Sequence, residues 1–344
     1  MRTKKPKKTK LVRWLSDTIN QNHRYGFINR KGKMVIEPCY TYARRFSECF
    51  AAIGIGDRIG YINTKGDIVI EPVFHDGHRF SEGLAYVEQE NSVGFINKRG
   101  KWVFKVRKEL NCRPEYPPAF SEGLAVLMHR GKYRYFDKQG NIAIKKSFCA
   151  AMPFRGDLAP VFNDKEKTWE YIDKSGDVRI RPALPAAFAH SFVKGHALII
   201  LRDLEAMCYI NIFGNIIYSD ERENLWGCDF SEEGLAPARR IDQFGFINEF
   251  GQFVIQPQFQ MASHFQEGLA HILVKGNHGY VNKRGEWFTV PPADSCESFF
   301  EGRALFWIKK RGWGYIDIKG RVAIKPSYKA AEPFREGLAA VRVK

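Results

Sequence analysis

Histidine and cysteine are the residue types in this sequence that could bind a metal ion. His75-Asp76-Gly77-His78 places two imidazoles close together, but no third ligand follows at a suitable spacing, so we expect a solvated loop there. The seven cysteines include no C-x-x-C pair. The sequence therefore predicts no zinc site and no disulfide framework, and reduced thiols indicate a cytoplasmic protein.

Three further histidines, His264, His271 and His278, are spaced by seven residues. A spacing of seven brings side chains together on a helix, whereas these residues fall in different predicted strands. The spacing therefore carries no weight, and we expect neither a bound metal nor another cofactor.

Acidic side chains recur at one place in a repeated pattern, where they could be read as paired catalytic carboxylates. A catalytic group is placed once in a chain, whereas a residue that recurs in nearly every unit serves packing. The sequence also lacks a Gly-rich phosphate loop and a nucleophile elbow. We therefore predict that the protein is not an enzyme. The recurring acids are Glu82, Glu122, Glu267, Glu301 and Glu336.

Basic side chains are more informative, because the formal net charge is +16 and residues 1–10 carry six basic and no acidic residues. A second basic set fills the middle of a recurring Asn/Asp-x-x-Gly segment, and the two sets form a candidate surface for an anionic partner. The Asn/Asp-x-x-Gly segments are expected on one rim of the repeat array. Glu-Gly turns expected on the same rim would partly cancel their charge, which favours a role in solubility. The candidate contacts are Lys4, Lys5, Lys7, Lys8, Lys10, Arg30, Lys31, Lys65, Lys98, Arg99, Lys138, Lys174, Lys283, Arg284 and Lys319.

The recurring segment runs aromatic–aliphatic–Asn/Asp–x–x–Gly and is first seen at Phe27-Ile28-Asn29-Arg30-Lys31-Gly32. It occurs nine times, at intervals of 34 to 40 residues. Asn or Asp at the start of a turn accepts hydrogen bonds from the backbone that follows. Glycine three residues later can adopt positive φ. Each copy therefore predicts a tight, bulged β-hairpin.

Two more signals accompany the hairpins. A proline follows the strand after the turn, as in Ile36-Glu37-Pro38, and is predicted to end that strand because it cannot donate to a ladder. The segment Phe-x-Glu-Gly-Leu-Ala, as at Phe80, predicts a second turn and a new strand. The residues between these two signals must cross back, which predicts four antiparallel strands per unit.

The expected fold class is all-β, with nine hairpin-based repeats of about 35 residues. The first hairpin lacks a Phe-x-Glu-Gly-Leu-Ala segment before it, and the chain ends with one, at Phe334, that no hairpin follows. We therefore favour a propeller-like closed ring in which residues 338–343 pair with residues 25–29. An open, curved β-solenoid with exposed end strands is the alternative.

The sequence divides into three parts. Residues 1–10 are predicted to be a flexible basic tail, and residues 23–344 form the single repeat array. Between them, residues 11–22 place apolar side chains at helical spacing and predict an N-terminal cap with a short helix. No segment reads as a signal peptide or as an apolar run that spans a bilayer.

The Asn/Asp-x-x-Gly hairpin, the proline after it and the Phe-x-Glu-Gly-Leu-Ala segment together resemble the WG-repeat family, also called KWG repeats, over residues 25–344. Only Trp313-Gly314 keeps both residues that name the family. The family is largely bacterial, and the resemblance implies a β-repeat interaction module without enzyme activity. We expect a scaffold that binds another protein through one face or the loops of the array, with no membrane or small-molecule substrate. The alternative is a nucleic-acid-associated accessory factor that uses the lysine-rich arm and the basic turns.

Overall fold

The computed structural model describes residues 24–108, 118–202, 207–220 and 229–343. These residues form strands, turns and bends and contain no helix, so the all-β prediction is confirmed. The strands fall into nine antiparallel sheets of two to four strands, and none of these described sheets closes on itself. The predicted tail and the predicted cap at residues 11–22 lie outside the described residues.

The sheets are numbered here by the order of their hairpins. Sheet 1 contains β1 (Tyr25–Asn29) and β2 (Met34–Tyr40), and sheet 2 contains β3 (Tyr42–Ala43), β4 (Phe50–Ile55), β5 (Arg58–Asn63) and β6 (Ile68–Phe74). Sheet 3 contains β7 (Asp76–Ser81), β8 (Leu84–Gln89), β9 (Ser92–Asn97) and β10 (Trp102–Arg107). Sheet 4 contains β11 (Ala125–His129) and β12 (Lys132–Phe136), and sheet 5 contains β13 (Ala159–Asn163), β14 (Thr168–Ile172) and β15 (Val178–Ile180).

The second half of the chain follows the same plan. Sheet 6 contains β16 (Ala186–Ala189), β17 (His196–Leu201), β18 (Met207–Asn211) and β19 (Ile216–Asp220), and sheet 7 contains β20 (Ala236–Arg240), β21 (Gln243–Ile247) and β22 (Phe253–Phe259). Sheet 8 contains β23 (Met261–Ala262), β24 (Leu269–Val274), β25 (Asn277–Asn282) and β26 (Trp287–Thr289). Sheet 9 contains β27 (Ser295–Phe300), β28 (Arg303–Ile308), β29 (Gly312–Asp317) and β30 (Val322–Tyr328), and the last strands, β31 (Ala330–Ala331) and β32 (Leu338–Arg342), join sheet 1.

Six of the nine sheets have four strands in one repeated order. In sheet 2, for example, the crossing segment β3 pairs with β4, β4 with the hairpin strand β5, and β5 with the outer strand β6. The predicted fourth strand is therefore present, but it opens the sheet of the next unit instead of ending its own.

The Asn-x-x-Gly turns have the predicted hairpin geometry. All nine of their glycines adopt φ between +74° and +87°. In the second turn, the Oδ1 atom of Asn63 accepts the backbone N–H groups of Lys65 at 2.9 Å and Asp67 at 3.0 Å. The other eight Asn or Asp residues accept the same two backbone donors.

The prediction that proline ends the strand after the hairpin concerns five prolines and is wrong for four of them, Pro38, Pro72, Pro257 and Pro326. Pro72 lies inside β6, which continues two residues beyond it, and a register shift marks a bulge at this point. The strand is the outer edge of its sheet, where a missing N–H leaves no neighbour unpaired. A Cβ atom on Gly60 would lie 2.6 Å from the Ile70 carbonyl oxygen and 2.8 Å from the Pro72 nitrogen. Glycine at this position therefore allows the proline bulge to approach the hairpin strand.

The two ends of the array pair with each other. β1 and β32 are antiparallel neighbours, with Tyr25 opposite Arg342 and Phe27 opposite Ala340. The predicted pairing of residues 338–343 with residues 25–29 is therefore confirmed, and the open array is excluded. Eight core clusters lie between sheets that are consecutive in the chain. A ninth cluster joins Tyr315 of sheet 9 to Ile28 of sheet 1.

One aromatic pair recurs at every interface between sheets. The aromatic residue of each hairpin packs on the Phe of the next Phe-x-Glu-Gly segment, with ring centroids 4.6–5.1 Å apart. Where the hairpin residue is tyrosine, its hydroxyl is also bonded: Tyr315 donates to the backbone oxygen of Glu332 at 2.8 Å. Six of these pairs are edge-on and three are tilted, arrangements that favour packing between sheets.

Candidate interaction surface

The nine Asn-x-x-Gly turns lie on one rim of the ring, which we call the turn rim. Eight of the nine turn glycines face the outer strand of the preceding sheet, as Gly66 faces Ile36 and Gly100 faces Ile70, and the ninth, Gly176, faces Ile144 beside the two-stranded sheet 4. Gly32 of sheet 1 faces Ile324 of sheet 9 in the same way. Because the contact repeats all round the ring, the predicted common rim is present.

The Glu-Gly turns lie on this rim as well. The Glu82 carboxylate accepts the backbone N–H of Gly123 in the next sheet at 3.0 Å, and Glu48 accepts that of Gly83 at 3.0 Å. These acids form a glutamate belt that ties seven of the nine turns to the following one, which is the structural role predicted for the recurring acids. The belt comprises Glu48, Glu82, Glu122, Glu233, Glu267, Glu301 and Glu336.

Half of the predicted basic turn residues pair with the glutamate belt. Burial acts to raise the pKa of Glu82, but hydrogen bonds from the Lys138 ammonium, 3.0 Å away, and from backbone N–H groups hold that pKa below its ordinary value. The predicted partial cancellation of charge on this rim is therefore present at five turns. The pairs are Lys98–Glu48, Lys138–Glu82, Lys174–Glu122, Lys283–Glu233 and Arg30–Glu301, at 2.8–3.7 Å.

The other five basic turn residues form a cationic arc. All are exposed, and none takes part in an ion pair within the described ranges. They belong to sheets 8, 9, 1, 2 and 3, which are consecutive because the ring closes between sheets 9 and 1. The members of the arc are Arg284, Lys319, Lys31, Lys65 and Arg99. The tail residues Lys4, Lys5, Lys7, Lys8 and Lys10 lie outside the described residues.

Sheets 6 and 7 carry an apolar arc on the same rim. Phe213 is 77% exposed, Phe250 is 71% exposed, and Ile212 beside Phe213 is 50% exposed. Sequence reasoning did not single out these residues. The signal was present, because Phe213 and Phe250 hold a turn position that is Lys or Arg in five other units. The apolar arc ends where the cationic arc begins, at sheet 8.

A cavity of about 850 Å³ lies at the axis of the ring, lined by segments that precede or open eight of the nine sheets. Its lining is ionic. Burial, reinforced by Arg45 and Arg335, lowers the pKa of Arg79, and burial raises the pKa of Glu332. The side chain of Arg44 also faces this cavity. The cavity is a second candidate site, suited to a small charged ligand.

The histidine segments fold differently from expectation. Asp76-Gly77-His78 lies in strand β7 rather than in a loop, and His78 Nε2 is 3.3 Å from Asp76 Oδ2. His271 and His278 do lie in different strands, as predicted, but these strands are neighbours. His271 Nε2 and His278 Nδ1 are 2.9 Å apart. The two histidines meet because β24 pairs with β25, and a spacing of seven residues does not predict this pairing.

Within the described residues, the structure has no helix of the length and hydrophobicity that crossing a membrane requires.

Comparison with known proteins supports the repeat and the fold. Residues 25–57, 59–92, 133–166, 244–277 and 313–344 match the WG containing repeat. Among curated proteins, none matches this sequence. A solved structure of a eukaryotic initiation factor aligns over 94% of this chain and 98% of its own, at 8% identity and a TM-score of 0.60. BamB from Moraxella catarrhalis aligns over 88% of this chain and 96% of its own, at 8% identity and a TM-score of 0.46.

Proposed function

Five segments of this chain match the WG containing repeat, and on that premise we propose that it is a non-enzymatic scaffold that binds another protein through the turn rim. The apolar arc carries the proposal. Phe213 and Phe250 are large aromatic side chains that the fold leaves in water, and each would contribute about 2 kcal/mol on burial by a partner. Exposed aromatic clusters rimmed by polar groups are typical of protein-binding surfaces.

The neighbouring cationic arc defines the chemistry of the partner. Unpaired cations beside an apolar patch attract a partner whose apolar side chains are flanked by acidic residues. Cys49 and Cys149 are free thiols, which suits a reducing compartment. The proposal therefore assigns the protein to the cytoplasm.

A nucleic-acid-associated role is the alternative, supported by the five cations of the arc and the basic tail. Aromatic side chains can also stack on unpaired bases. Two observations favour a protein partner. Half of the turn cations are already neutralised by glutamates, and Ile212, an aliphatic residue with no stacking face, extends the apolar arc.

The experiment replaces both exposed rings with the residue type that other units carry, as Phe213→Lys with Phe250→Lys. Wild type and variant are cross-linked in extract of the native host, and the captured proteins are quantified. Val35→Lys with Val69→Lys is the matched control, since these valines are also exposed but lie on outer strands of sheets 1 and 2, outside the apolar arc. The proposal requires a partner that wild type and control capture and the Phe variant loses.

Nuclease treatment and deletion of residues 1–10 distinguish a protein partner from the nucleic-acid alternative. A protein partner survives nuclease and depends weakly on salt, whereas nucleic-acid binding falls steeply with salt. Weaker binding to an RNA or DNA probe after deletion of the tail would support the alternative. Capture that is unchanged in the Phe variant would contradict the proposal.

A further inference from the structure

Three residues of sheets 8 and 9 depart from the residue type that their position holds in the other units. His271 follows Leu-Ala, where the other eight units have no histidine. His278 stands at the position of Trp313, again as the only histidine among nine units. Cys296 lies three residues before Phe299, where seven other units have alanine or glycine and one has proline. A repeat protein reuses one packing solution, so departures gathered at one place call for a local cause.

The fold brings these three side chains together. His271 on β24 and His278 on β25 are cross-strand neighbours, and Cys296 on β27 opens the next sheet. One donor atom from each lies within 4.8 Å of the other two. His271 and Cys296 are 5% and 7% exposed, so the cluster is largely shielded from water.

We infer that His271, His278 and Cys296 form a binding site for Zn²⁺ at the interface of sheets 8 and 9. Two imidazole nitrogens and one thiolate are ligands that zinc accepts in tetrahedral geometry, which leaves a fourth position for water or another ligand. Hard cations such as Ca²⁺ and Mg²⁺ require oxygen donors that this set lacks. On binding, the Cys296 thiol loses its proton to solvent and the thiolate coordinates the metal.

The distances fit a site that closes around the ion. Zinc bonds of about 2.0–2.3 Å separate tetrahedral ligand atoms by about 3.3–3.6 Å. The two histidine nitrogens, now 2.9 Å apart, must part slightly. The widest separation, up to 4.8 Å, must shorten by about 1 Å, which side-chain rotation can supply.

The proposed ion would join sheet 8 to sheet 9 through metal bonds. The other units have the aromatic pair at this interface, and seven of the eight have alanine or glycine at the position of Cys296. Because metal binds the folded state, Zn²⁺ at this site stabilises the whole array by an amount that grows with the logarithm of its affinity.

The test measures Zn²⁺ binding by metal-stripped protein, using elemental analysis after dialysis. The variants are Cys296→Ala, His271→Leu and His278→Phe, each a residue that another unit holds at that position, so the fold should tolerate it. Cys49→Gly, which removes an exposed thiol at another turn, is the control. We expect one ion per chain in wild type and control, with affinity lowered by about 100-fold or more in each variant.

Co²⁺ provides a readout in the wild-type protein that does not depend on how the variants fold. Wild-type protein loaded with Co²⁺ should show the absorption of a tetrahedral site together with a thiolate-to-cobalt band, and Cys296→Ala should lose that band. Zn²⁺ should also raise the melting temperature of wild type and control but not that of the variants. Wild type that binds no stoichiometric Zn²⁺, or Cys296→Ala that keeps the thiolate band, overturns the assignment.

Discussion

The carboxylate of Glu336 accepts the backbone N–H of Cys49 through both oxygens, at 2.9 and 3.0 Å, although 287 residues separate the two. Glu48, beside Cys49, makes the same bond to Gly83 in the next sheet. The glutamate belt therefore continues across the point where the chain ends meet. Closure uses the same glutamate bond as six other interfaces between sheets.

The belt predicts a pH-dependent effect of Glu82→Gln. The carboxylate of Glu82 has a pKa below its ordinary value of 4.5 in the folded state, so it stabilises the fold above pH 4.5 and loses this effect as pH falls through the folded pKa. We expect the variant to lower the free energy of unfolding by about 0.5–1 kcal/mol at neutral pH. Denaturant melts at several pH values should show the difference from wild type shrinking in acid.

The control for this experiment is Glu37→Gln, because Glu37 is an exposed glutamate on an outer strand away from the belt. Its effect should be small at every pH. A Glu82→Gln deficit that is constant with pH would show that the carboxylate charge has no part in the belt.

Cys49→Gly should stabilise the protein. Cys49 adopts φ of +69°, in the left-handed region, where most other units hold glycine in the Glu-Gly turn. A side chain at this φ is strained by about 1–2 kcal/mol, of which the greater freedom of glycine in the unfolded chain cancels a part. We expect a gain of about 0.5–1 kcal/mol in denaturant melts. Cys149→Ser removes another exposed thiol and is the control for thiol chemistry. An equal gain in both variants would exclude backbone strain as the cause.

Two hairpin glycines should differ in their tolerance of valine. Gly100 and Gly285 adopt φ of +74° and +82°, and a Cβ atom would lie 3.0 Å from Ile70 Cγ2 at the first but 3.8 Å from Ile255 at the second. Gly285→Val therefore carries backbone strain alone, while Gly100→Val adds crowding. We expect losses of about 1–3 kcal/mol, larger at Gly100.

Arg99→Val places the same side chain one residue earlier in the turn, at a residue outside the left-handed region. Thermal melts of this control should stay near wild type. Valine variants of both glycines that melt with wild type would show that positive φ is not required at these turns.

The sequence predicted the features that repeat. Nine copies of one pattern show which residues recur and which vary by chance. Spacing and turn chemistry therefore predicted the turns at Asn63 and Gly66, the four-strand unit and the closing pair of strands. The bulge at Pro72 was missed because the tolerance of an outer strand for proline depends on its place in the sheet, which Gly60 alone does not reveal.

The sites depend on departures from the repeat, and these were harder to read. Phe213 and Phe250 matter because they stand where other turns are basic, a comparison that requires the turns to be aligned on one rim. His271 and His278 meet because two strands pair in a given register. Cys296 belongs to the next sheet, and only the three-dimensional interface brings it to the histidines.

Ring closure predicts that the last strand supports the whole array. Deleting residues 337–344 removes β32, the partner of β1, together with core residues that pack on Phe27 and Ile28. It leaves β1 and the sheet 9 interface exposed at the same time, so both ends of the array lose their neighbour. We expect a lower melting temperature for the entire transition, and loss of hydrogen-exchange protection at residues 25–29 as well as in sheet 9. Deletion of residues 1–10 removes a similar length of chain and should leave the melting temperature and the exchange pattern unchanged. A loss of protection confined to sheet 9, with residues 25–29 still protected, would show that β32 does not hold the two ends together.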